Sequence, residues 1–324
     1  MFSLKSFAYS VDKFFFEEKP TEGISLFRII WISIILINYI FDYQNISDFY
    51  GPHALISLDT VKGQFPFFHA NLFHLSDGSY EFTTGLYIFY GFAIVSSLIG
   101  FYTKPSLIAV LFCMVSFHQR NIWTLSSSEV LMRIVTILLV FTPCGHSFSI
   151  DSLFGKFFKK FKKKRNAPVW GQRLIQIQLS VVYLWTAWHK LKGETWFDGT
   201  ALYYATRIEN LTNFSVPYIL DSLLFLKFMT WGTLLLEFSL GLLIWFKEFR
   251  KPLILLGVIF HLGIEYMMSI PFFEWIMVAL LLNFYTPEEY RKFCNKIRIV
   301  IIKTVRSAAV NDDIKRRIIS IIRF

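Results

Sequence analysis

Charge is scarce in this chain. Asp, Glu, Lys and Arg make up 17% of 324 residues, against 54% hydrophobic residues. That balance excludes an ordinary soluble domain and predicts a polytopic membrane protein, with the lipid bilayer as its first partner. Cysteine is scarcer still. Cys113, Cys144 and Cys294 lie far apart and form no CxxC pair, so neither a disulfide framework nor a zinc site is expected. His53, His69 and His74 share one connection, but their spacing matches no metal pattern, and no metal is predicted. No internal repeat of the kind built into many transporters is visible. The N-terminus lacks a short apolar core followed by a small-residue cleavage site, so the first apolar run is expected to remain as an anchor.

The charge present is mostly of one sign. Net charge is +10, with Lys and Arg concentrated in short segments between apolar runs. Membrane topology explains that pattern without nucleic acid, which is not expected as a partner. Apolar runs predict spans near 24–41, 86–102, 106–117, 129–141, 172–191, 222–246, 252–268 and 271–285. If the N-terminus is cytoplasmic, every even-to-odd connection is basic: Lys104, the 156–165 run, Lys247 to Lys251, and the tail. The other connections are poor in Lys and Arg. The expected fold is therefore all-α, a polytopic helix bundle of about eight transmembrane helices with both termini cytoplasmic. Residues 1–23 form a cytoplasmic or interfacial segment, 24–285 the membrane domain, and 286–324 a basic, partly amphipathic cytoplasmic tail.

Ionisable groups inside a membrane are costly and mark candidate sites. In the fifth span Gln176, Ser180, Tyr183, Ala187 and Lys190 share one helix face. Two readings of that stripe stand: interhelical hydrogen bonding, or the wall of a polar cavity. Lys190 either snorkels to the outer interface or serves the cavity. The seventh span places Gly257, His261 and Glu265 on one face. Glu129 and Arg133, one turn apart in the fourth span, are read as a structural ion pair. Lys227, Glu237 and Glu274 complete the set, and most of these groups project to the outer half of the membrane. After Lys190, the stretch with Trp196, Asp198, Gly199 and Thr200 is placed to cover a site. Helical rise puts Lys190 about 27 Å above Gln172 and His261 about 13 Å above Pro252, so the two meet only if the lysine stem bends inward or the seventh span starts higher.

Arg173-Leu-x-Gln-x-Gln178, Tyr183, His189-Lys190-Leu191, Trp196, Asp198-Gly-Thr-Ala201 and Tyr203-Tyr204 resemble the horizontally transferred transmembrane (HTTM) domain. This is the membrane part of vitamin K-dependent gamma-carboxylases and their bacterial relatives. Two further stretches are similar: Thr142-Pro-Cys-Gly-His-Ser-Phe-Ser-Ile-Asp151, and Phe260-His261 with Ser269-Ile270 and Phe272. The resemblance implies that Lys190 is a base acting on a reduced quinone, with His261 and His189 as further catalytic candidates. Tyr183, Trp196, Asp198 and Glu265 would line the quinone or substrate site. A buried base lysine must be neutral, and apolar walls favour that form. The chain departs from the carboxylases in having Ser128 where they carry a histidine before the fourth span. It also has nothing like their large lumenal substrate-gripping domain. Two functions therefore stay open: quinone- or lipid-dependent carboxylase-like or oxidoreductase-like chemistry on an exported peptide, and a non-enzymatic factor for maturation or export of a secreted partner.

Overall fold

The computed structural model describes residues 4–64, 71–76, 78–157, 164–213 and 221–290, with isolated positions up to 302. His69, Cys294, much of the 156–165 run and most of the tail lie outside them. In chain order the helices are α1 (Leu4–Phe16), α2 (Glu22–Asp42), α3 (Ile46–Tyr50), α4 (Leu58–Gln64), α5 (Tyr80–Ile99), α6 (Thr103–Arg120) and α7 (Ser127–Val140). They continue with α8 (Ile150–Phe157), α9 (Trp170–Lys190), α10 (Glu194–Phe197), α11 (Ala201–Ala205), α12 (Leu223–Leu242), α13 (Lys247–Met267) and α14 (Phe273–Leu282). Two short strands, β1 (Glu18–Pro20) and β2 (Asn166–Pro168), pair antiparallel.

Helix ends follow local chemistry. Ser79 caps α5 by accepting from the Phe82 N–H at 3.3 Å. At its other end Gly100 adopts φ +70°, and a Cβ there would lie 2.4 Å from the Ser149 Cβ and 2.8 Å from Arg28 Nη1. The turn between α5 and α6 is thus made at Gly100–Tyr102, not at Lys104-Pro105 as expected. Pro105 falls in the first turn of α6, where a missing N–H costs nothing. Helix α13, read from the sequence as the seventh span, begins at Lys247, five residues before the expected start, because its first turn is charged rather than apolar.

Helix α14 sits at the centre, packed against α2, α7, α9 and α13. Ile276, Met277, Ala279, Leu280 and Leu281 are buried there, which suits an apolar helix of only ten residues. Around it Phe27, Trp31, Ile94, Leu107, Val135 and Leu179 join one continuous core. Trp31 donates to the Thr136 hydroxyl at 3.0 Å, tying α2 to α7. The outer surface is also apolar: Phe92, Leu224, Phe228 and Leu235 are each about 70% exposed or more. A large apolar exterior on a packed core is the mark of a membrane-facing surface. Among the described residues, three helical stretches are by length and composition apolar enough to cross a bilayer: Glu22–Tyr50, Tyr80–Ile99 and Leu223–Trp245.

The connections gather at two ends of the bundle. At one end Arg28, fully buried, donates to the Cys144 carbonyl at 2.7 Å and the Phe148 carbonyl at 2.6 Å. The same end holds the strand pair, the contact of Gly171 with Thr142, and the Lys251–Glu289 ion pair at 2.9 Å. At the other, Arg120 donates to the Ile56 and Gly51 carbonyls, and Thr212 bridges to Met268.

Candidate functional site

Gln176, Ser180, Tyr183 and Lys190, four of the five polar or small residues on one face of α9, are each bound to a different neighbouring segment. Gln176 donates to the Asn283 carbonyl at 2.9 Å, and the Ser180 hydroxyl accepts from Trp245 Nε1 at 2.8 Å. These two brace the end where Arg28 lies. Ala187 is fully buried and opens room on the same face. The upper half, Tyr183 and Lys190, meets ionisable groups of α12, α13 and α14.

Tyr183, on α9, lies 2.7 Å from His261 Nε2, on α13. His261 Nδ1 is hydrogen-bonded to the Glu274 carboxylate, on α14. Both side chains of that pair are about as buried as the core, 3% and 2% exposed. With Glu274 ionised and the imidazole neutral, the ring proton sits on Nδ1 and Nε2 accepts from the Tyr183 hydroxyl. The close approach of α13 depends on Gly257, one turn before His261. A Cβ there would meet Leu281 at 2.8 Å and Leu240 at 3.2 Å.

Two turns along α9 from Tyr183, Lys190 is ion-paired with Glu237 of α12. The Lys190 side chain is 26% exposed and that of Glu237 6%. Trp196 lies over the ammonium, its ring centroid 4.9 Å from Nζ. Glu237 also stands within electrostatic range of His261 and Glu274. Its second oxygen, Oε2, is buried and has no hydrogen-bond partner among the described residues. A buried acceptor without a donor is uncommon, and in a cluster of charged groups it marks where a ligand hydroxyl or a proton can sit. Lys190 and His261 do not touch. The lysine stem bends inward, and Glu237 stands between the two groups electrostatically.

Several expected site residues lie elsewhere. His189 is exposed on the outer face of α9, its ring edge-on to Trp185 with centroids 4.6 Å apart. Consecutive helix residues are rotated by about 100°, so His189 cannot share the face of Lys190. Glu265 accepts from Trp275 Nε1 at 3.0 Å, and the partner of His261 is Glu274 instead. Asp198 is exposed and closes a turn, accepting from the Thr200 N–H at 2.8 Å and its hydroxyl at 2.6 Å. Those two bonds hold the Asp198 carboxyl below the usual carboxylate range. Glu129 does not pair with Arg133. Its carboxylate turns back to the Ser126 N–H at 2.7 Å, completing the capping box of α7. Glu237 and Glu274 were read from the sequence among the intramembrane charges but not paired with Lys190 or His261, although each is the one carboxylate of its helix.

These features define an all-helical integral membrane protein with an ionisable network inside its helix bundle. The HTTM domain model matches residues 16–288, and the chain belongs to the HTTM family. The chain is also similar to the uncharacterized protein YitO of Bacillus subtilis (strain 168), 26% identical over 121 residues. That match covers 35% of this chain and 38% of the relative, so the chain spans well under half of that relative's length. No solved structure matches the chain.

Proposed function

We propose that this is an eight-span protein of the cell membrane, both termini cytoplasmic, with an acid–base site in the outer half of the bilayer. The site takes a lipophilic, hydroxyl-bearing molecule of the reduced-quinone class and acts on an exported peptide. One observation carries the reading: the half-buried Lys190–Glu237 pair under Trp196 leaves Glu237 Oε2 without a donor among the described residues. The topology is supported by the described residues of the basic connections, Lys104, Lys164 and Lys251, which lie toward the end that holds Arg28.

The residues fit such a ligand. A quinol hydroxyl supplies the donor that Glu237 Oε2 lacks, and Trp196 offers a flat aromatic face beside it. When bound, a reduced quinone would supply reducing equivalents and a removable O–H proton. Lys190 and Glu237 hold one proton between them. With that proton on Glu237, Lys190 Nζ is a neutral amine, the form a base requires. Tyr183, His261 and Glu274 form a second proton path below, oriented by the tautomer that Glu274 enforces.

The test is binding of a naphthoquinol to the purified protein, read by quenching of tryptophan fluorescence. Quenching that is saturable, and lost in both Trp196→Phe and Glu237→Gln, is expected. Unsaturable quenching, equal in all three proteins, rejects the site. A Lys190→Met variant that still supports maturation of the exported partner would place the non-enzymatic maturation factor ahead.

A further inference from the structure

The end of the bundle opposite the acid–base site carries a cavity of about 570 Å³, between the α5–α6 turn, the 142–146 segment and α8. Its size is that of a site for a small amphiphile. Phe101, Pro105 and Phe154 give it apolar walls, and Lys104 and His146 stand among them. The cavity is a built part of the fold. Arg28 fixes its floor by holding the Cys144 and Phe148 carbonyls, and Asp151 fixes its roof by accepting from the Tyr102 and Thr103 N–H groups, both at 2.9 Å.

The charge around it is uneven. Asp151 is the single carboxylate in the lining, and it is engaged by those two N–H groups and by the Thr103 hydroxyl at 2.8 Å. Lys104 is exposed and in no ion pair among the described residues. His146 donates from Nδ1 to the Lys164 carbonyl at 3.1 Å, which brings the exposed Lys164 and Arg165 to the same rim. Apolar walls beneath a cationic rim, at a bundle end that meets headgroups, match one occupant.

We propose that this cavity binds one anionic phospholipid, an acyl chain along Phe101, Pro105 and Phe154 and the phosphate at Lys104. The site is separate from the Lys190 network, and its occupant would hold the α5–α6 turn against the 142–151 segment. Native mass spectrometry of the detergent-purified protein, titrated with phosphatidylglycerol or phosphatidylcholine, tests it. Phosphatidylglycerol is expected to bind more tightly. Lys104→Gln should weaken it about fivefold, the share of one cation near an anionic headgroup. Lys247→Gln removes the same charge at the same end but away from the cavity, and should leave binding unchanged. Millimolar inorganic phosphate should fail to displace the lipid. Equal binding of both lipids, equal loss in both variants, or displacement by phosphate alone would each overturn the proposal.

Discussion

Lys190→Met strips Glu237 of its ion-pair partner. The Glu237 side chain is 6% exposed, so its charge cannot be handed to solvent; Lys190, at 26%, keeps some access to water. Breaking a wholly buried pair by removing one partner costs about 3–5 kcal/mol, and breaking an exposed one about 0–1. The geometry lies nearer the buried limit, which sets the loss at about 2–3 kcal/mol. For a chain of this size each kcal/mol lowers Tm by about 2–4 °C, so a fall of about 4–12 °C is expected. Glu237→Leu should cost less, because the freed lysine can swing toward the interface beside Trp196. The double variant Lys190→Met/Glu237→Leu replaces both charges with apolar volume and should recover most of the loss. Thermal unfolding of the detergent-purified wild type, both singles and the double, followed by intrinsic fluorescence, completes the cycle. If the double loses the sum of the singles, the two side chains do not act as a pair, and the site built on them falls.

Three further outcomes are expected. Single-cysteine labelling at Ser79 and Asn213 should succeed from outside the cell, and at Lys163 and Arg250 only from inside; labelling of position 163 from outside overturns the topology. Glu129→Ala should cost about 1 kcal/mol as a lost helix cap, and its effect should add to that of Arg133→Gln, since the two do not meet. A coupling above about 0.5 kcal/mol would restore the ion pair. Asp198 has a folded pKa below its ordinary value of 3.8, so its contribution is present above that pH and is lost as pH falls through the lower folded value. Thr200→Val should therefore move acid-induced pepsin cleavage of the 191–213 connection to higher pH, and an unchanged profile would show that the turn does not depend on those bonds.

Apolar runs and basic connections made most helices legible, because hydropathy acts over tens of residues and tolerates error at each end. The boundaries that slipped did so for local reasons. Lys247 and Arg250 disguised the start of α13, and the β1–β2 pair is too short to leave a periodic pattern. The site was half visible. Tyr183, Lys190 and His261 are readable because polar side chains at helical spacing stand out in apolar runs. Their carboxylates were not, since the sequence offers Glu265 one turn from His261, while Glu274 reaches it only across a helix contact. Glu237 was counted among the intramembrane charges but not joined to Lys190, because counting rise along separate helices ignores how far a lysine stem can reach. Glu129 was assigned to Arg133 by the same i,i+4 habit, although Ser126, three residues before it, signals a capping box.

The buried arginine at the base of α2 has a consequence for how the protein is made. Arg28 emerges from the ribosome with the first apolar helix, but its two short acceptor bonds come from residues 116 and 120 positions later. At about 5–20 residues per second, that is roughly 6–24 s in which the leading helix carries a guanidinium with neither of those two carbonyls synthesised. Until Cys144 and Phe148 arrive, the charge has to be kept at the headgroups or shielded by the insertion machinery. A nascent chain halted before Cys144 would hold α2 shallow in the bilayer, and the step that draws it to full depth is the arrival of α7 and the loop behind it.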